Sequence, residues 1–139
     1  MGNGLDVALM NDPFGVWSPE KGDRHLDIEL NVDEWGSFFY ETLRVDEPLF
    51  DEAESIEVFE ARRISNFEQA LREYPLLARV HDFYQDASFS ADEVLPLKGE
   101  LQRAEKLEPS GYAKSFVKKM RSACDRALES QVGIALLSS

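Results

Sequence analysis

The order of apolar and polar residues divides the chain into segments with different periods. Residues 4–10, GLDVALM, form a short apolar run of strand length. Residues 11–23, NDPFGVWSPEKGD, hold two Pro and two Gly among turn formers and predict a loop. In RHLDIELNV, Leu26, Ile28, Leu30 and Val32 alternate with His25, Asp27, Glu29 and Asn31, which predicts a strand with one buried face. The two strands suggest an antiparallel pair, although the loop is too long for a tight hairpin. From Asp33, a candidate N-cap, the period becomes helical through Trp35, Phe38, Phe39 and Leu43. Residues 45–55 are broken by Pro48 and read as loop. Ile56, Val58 and Ile64 then suit a third strand over residues 56–64.

Helical patterns follow almost to the end. Ser65-Asn66-Phe67-Glu68 matches a capping box that would open a short helix ending before Pro75. Pro75 suits the first turn of another, with Leu76, Leu77, Val80, Phe83 and Tyr84 as its apolar stripe. Ser90-Ala91-Asp92-Glu93 is a second capping box, opening a helix to about Leu107. After the break at residues 108–111, a helix from Tyr112 to Ser130 faces inward through Ala113, Phe116, Val117, Met120, Cys124, Ala127 and Leu128. The tail, residues 132–137, is apolar throughout, like a buried strand. The sum is a single α+β domain over residues 1–139: a small, mainly antiparallel sheet of about four strands with about four to five helices packed against it.

Charge changes the picture more than composition does. Residues 1–61 carry 16 Asp and Glu against 3 Lys and Arg, a net −13, whereas residues 62–139 carry 11 against 12, a net +1. An acidic half repels nucleic acid and anionic lipid and favours a basic protein or a metal cation. The densest stretch, residues 45–61, contains Asp46, Glu47, Asp51, Glu52, Glu54, Glu57 and Glu60 and only carboxylates as charged groups. It has no imidazole or Gly to organise a metal cage, and it lacks the alternate Asp and Asn and the central Gly of a calcium loop, so it reads as a negative pole. With no long apolar window and no secretory leader pattern, the expectation is a cytoplasmic protein that neither spans nor binds a membrane.

Few residues suggest catalysis. His25, Asp27 and Glu29 share one predicted strand face, about 7 Å apart, and could contribute to a divalent metal site. His81-Asp82 with Asp86 resembles half of a metal-phosphohydrolase pattern. Cys124, the sole cysteine, sits in an apolar stripe and is expected to be an inert small hydrophobe. Phosphate loops, nucleophile elbows and zinc-protease helices are absent. Phe14 and Trp17 instead stand in the Pro/Gly-rich loop; exposed aromatics beside dense carboxylates make a protein-docking surface.

The segment YPLLARVHDFYQDASFSADEVLPLKGELQRAEKL resembles the central part of a group of small bacterial proteins, some of them immunity proteins of polymorphic toxin systems. Leu77, Asp82, Tyr84, Asp86, Glu93-Val94, Leu97 and Glu100-Leu101 carry the likeness, with Cys124-x-x-Ala127-Leu128 and Gly133-Ile134 further on. It covers roughly the last 65 residues; Pro96, Lys98-Gly99 and the Ser138-Ser139 ending depart from the pattern. The resemblance implies a cytoplasmic inhibitor that binds a cognate toxin and performs no chemistry. The reading is therefore a non-enzymatic acidic module that binds a basic protein through Phe14, Trp17, Asp46, Glu47, Asp51, Glu52 and Glu54, without metal or cofactor. The alternatives are a small metal-dependent enzyme using His25, Asp27 and Glu29 or His81 and Asp82, and a homodimer joined through its apolar surface.

Overall fold

The computed structural model describes residues 4–44 and 55–138. Strands β1 (Gly4–Met10), β2 (Arg24–Asn31), β3 (Ala87–Phe89) and β4 (Gly133–Ser138) form one antiparallel sheet in the order β2-β1-β4-β3. The chain's most apolar strands, β1 and β4, occupy the centre, as expected of strands covered on both faces. Pairing of β1 with β2 slips between Asp6 opposite Glu29 and Ala8 opposite His25, so Leu26, Asp27 and Ile28 together face Val7. Asp27 takes a left-handed conformation at this bulge, φ 56°, which a short polar side chain tolerates better than most.

One sheet face bears Leu5, Val7, Leu9, Leu30, Phe89, Ile134 and Leu136. Helices α3 (Ala91–Glu105) and α4 (Tyr112–Ser130) lie over it, burying Val94, Leu97 and Leu101 from the first and Phe116, Val117, Met120 and Cys124 from the second. The end of this core is closed by α1 (Val32–Gly36), which continues as a π-helical segment, Ser37–Thr42. There Phe38 stacks on Phe116 at 4.5 Å between centroids and meets Phe39 edge-on, geometry that adds to plain area burial. The opposite sheet face, with Ala8, Met10 and Ala135, is also buried. The residue 11–23 loop reaches it: Pro13 is buried, and its carbonyl accepts a 2.8 Å hydrogen bond from Ser88 Oγ. Gly133 is required at this approach, because a Cβ there would collide with the Phe89 carbonyl and the Pro13 ring.

Three expectations are overturned. Residues 56–64 are not a strand but the start of α2 (Ile56–Glu73). Ser55 caps this helix by accepting from Val58 N at 3.2 Å, and Ser65-Asn66-Phe67-Glu68 lies within it rather than at its start. The β-branched residues mislead because Ile56, Phe59, Phe67, Ala70 and Leu71 also share one helical face, and Ala, Glu, Gln and Arg between them favour helix. Second, Pro75 does not open a long helix; the chain makes only a 3-10 turn, Leu77–Val80. The buried Glu100 carboxylate on α3 accepts from the N–H groups of Leu76 and Leu77, fixing the segment by a tertiary contact. Leu76, Leu77, Val80 and Phe83 still join the core, but Tyr84 is exposed. Third, Asn31 and not Asp33 caps α1, in a reciprocal pair with Glu34. The missing fourth strand is β3, too short to show any period.

Candidate binding surfaces

The 11–23 loop is built from hydrogen bonds within itself. Asp23 is buried and accepts from Asn11 N at 3.0 Å and from Ser18 N at 2.8 Å, tying the two sides of the loop together. Asp12 accepts from Phe14 N and from Gly15 N, making the turn at the tip. The Pro19–Lys21 turn closes on Gly22, whose φ of 95° suits glycine, and Asn11 Nδ2 donates to the Lys21 carbonyl. In this frame Phe14 is 67% exposed and Val16 88% exposed. Trp17 turns back instead, its ring 4.7 Å from that of His25 on β2. The two aromatics picked from the sequence thus part company, and Val16, which the sequence reading passed over, takes the second outward position.

The acidic stretch is only partly in view. Asp46, Glu47, Asp51, Glu52 and Glu54 lie outside the described residues. Glu57 and Glu60 project from the first turns of α2, where both side chains are exposed. Among the described residues, no group of three or more His, Cys, Asp and Glu stands close enough to hold a metal ion. His25 is engaged by Trp17, and Asp27 sits at the bulge. His81 Nδ1 meets the Ala78 carbonyl at 2.9 Å, its ring lies 5.0 Å from that of Phe67, and Asp82 Oδ1 accepts from Tyr84 N. No hydrogen bond joins His81 to Asp82. Asp86 ends β4 by accepting from Ser138 N at 2.7 Å.

His81 and Asp82 nevertheless line a cavity of about 370 Å³ with Val32, Trp35, Gly36, Tyr40, Phe83 and Tyr84. Trp35 stands edge-on to Tyr40 at 5.4 Å, and Phe83 edge-on to Tyr84 at 5.6 Å. The Trp35 indole N–H donates to the Val80 carbonyl at 2.6 Å, which fixes one wall to the other. This cavity escaped sequence reasoning. Its aromatics are legible at residues 35–40 and 83–84, but nothing local says that the two groups meet. The cavity and the loop occupy opposite ends of β1: the loop leaves at Met10, whereas Ser138, bonded to Asp86 and to the Phe83 carbonyl, faces Leu5.

The buried ionisable groups serve the fold. Burial pushes the Glu34 carboxyl up, but hydrogen bonds from Ser115, Lys119 and the Asn31 N–H outweigh it and hold it below the usual range. Burial dominates at Glu100 and raises it. Burial also pushes the Cys124 thiol up to about 12, so it is no nucleophile at neutral pH. The basic side of α4 is partly spent within the molecule: Lys119 pairs with Glu34, Arg121 with Glu105, and Arg126 donates to the Leu26 carbonyl. No family model, curated protein or solved structure matches the chain. The residues behind the resemblance to immunity proteins are largely core and capping positions here: Leu77, Val94, Leu97, Leu101, Ala127 and Ile134 are buried, and Glu93 completes the Ser90 capping box.

Proposed function

We propose that the protein is a non-enzymatic binding module for a basic protein and that the 11–23 loop is its docking element. One observation carries this reading: a loop cross-linked by the buried Asp23 holds Phe14 and Val16 in solvent rather than against the core. Large apolar side chains held outward in a fixed frame lose little entropy on binding, which is how anchor residues gain their weight. The net −13 of residues 1–61 supplies the complementary term, since it attracts a basic partner and speeds encounter at low salt. An immunity-type inhibitor of a basic toxin is the form of this function that the resemblance suggests.

The test is capture from native host lysate by the wild-type chain and by a Phe14→Ser/Val16→Ser variant, in low and high salt. The expected result is a basic protein held by the wild type, with an affinity about 30-fold or more lower for the variant. Recovery of no basic protein, or equal recovery by both chains, counts against the reading. Light scattering of the purified chain separates it from the homodimer, for which the same apolar side chains would be self-complementary.

A further inference from the structure

Beyond that reading, we infer that the cavity between α1 and residues 81–84 is a receptor for a small organic cation with a quaternary ammonium head group. Four aromatic rings line it, belonging to Trp35, Tyr40, Phe83 and Tyr84. Its volume of about 370 Å³ falls within the range of small-ligand pockets. The Trp35–Tyr40 and Phe83–Tyr84 pairs are edge-on, with ring planes at 80° and 86°, so the aromatic residues of the lining are turned in different directions. The negative face of an aromatic ring attracts a cation, and several rings turned about one space attract it together.

The polar members define the charge of the occupant. Asp82 is half-buried and takes part in no salt bridge among the described residues. Its Oδ1 accepts from Tyr84 N, and its Oδ2 accepts no hydrogen bond among the described residues. His81 is held by the Ala78 carbonyl through Nδ1. A primary ammonium brings three N–H donors that would have to reach the Asp82 carboxylate and the Tyr40 and Tyr84 hydroxyls, whereas a methylated ammonium brings none and presents methyl groups to the rings. The chain's net charge of −12 raises the local concentration of any cation.

Heteronuclear NMR titration of the full chain with three probes tests the site: choline, its uncharged carbon isostere 3,3-dimethylbutan-1-ol, and ethanolamine. Choline is expected to shift the Trp35 indole and Tyr84 amide signals saturably, and to bind about 10-fold more tightly than either of the others. Tyr84 is 72% exposed, so Tyr84→Ala keeps the fold and weakens choline binding by about 5-fold. Asp82→Asn preserves the acceptor for Tyr84 N and removes the charge, and is expected to weaken choline binding while leaving that of the isostere unchanged. Equal binding of choline and the isostere, ethanolamine binding as tightly as choline, or no saturable shift up to about 10 mM choline overturns the inference. Because the cavity and the docking loop lie at opposite ends of β1, Phe14→Ser leaves choline binding unchanged whether or not the loop binds a protein.

Discussion

At the scale of single residues, three buried carboxylates act as substitutes for backbone partners. Asp23 caps loop N–H groups, Glu100 caps the Leu76 and Leu77 N–H groups, and Glu34 joins a helix cap to Ser115 and Lys119 of α4. Removing such an acceptor leaves a donor without its partner, at about 1–3 kcal/mol each. Asp23→Ala is therefore expected to cost about 2 kcal/mol in chemical denaturation and to speed amide exchange at Asn11 and Ser18; unchanged exchange at both contradicts the role given to Asp23.

The carboxylates also set the pH response, and with opposite signs. The Arg79 guanidinium holds Glu93 down to about 2, so this pair stabilises the fold above the ordinary carboxyl value of 4.5 and fades as pH falls towards 2. Glu34, also lowered, acts in the same direction. Glu100 is raised by burial, so the folded state takes up its proton first and the group adds stability as pH falls towards 4.5. Glu100→Gln keeps an acceptor oxygen and is expected to remove the rise in stability on going from neutral pH to about 5, measured by denaturation midpoints. The same rise in the Gln variant sinks that assignment.

Elements differ in how much of them is visible locally. Strands β1, β2 and β4 and helices α3 and α4 follow from period, caps and breaks, because in each the local pattern and the tertiary burial agree. The error at residues 56–64 has a physical cause: Ile56, Val58 and Ile64 are β-branched, yet all three are exposed, so no packing enforces a strand. Of the described α2 side chains only Ala70 is buried, with Phe59, Asn66 and Phe67 half-buried. Ile64→Ser on α2 is accordingly expected to change stability by less than about 0.5 kcal/mol. Phe116→Ala on α4, which removes a ring stacked on Phe38 and edge-on to Phe39, is expected to cost about 3–5 kcal/mol. A large loss at Ile64 would mean that α2 packs where its exposure says it does not. The candidate sites were legible only in part. Phe14 could be picked out because turn formers surround it, but the outward turn of Val16, the inward turn of Trp17 and the meeting of Trp35 with Phe83 depend on contacts between distant segments.

At the scale of the molecule, two features stand at opposite ends of β1: a loop that holds apolar anchors outward and a cavity lined by aromatic rings. No helix among the described residues is long and apolar enough to cross a membrane. The charge division makes a further demand, since a partner drawn by carboxylates must associate more slowly as salt rises. The most direct measurement places a photo-crosslinking benzophenone side chain at position 14, and for comparison at position 112, where exposed Tyr112 opens α4 at a distance from the loop. After irradiation in native host lysate, one dominant adduct with a basic protein is expected from position 14, diminished in high salt and missing from position 112. No adduct, an acidic partner, or the same adducts from both positions would contradict the docking role of the loop.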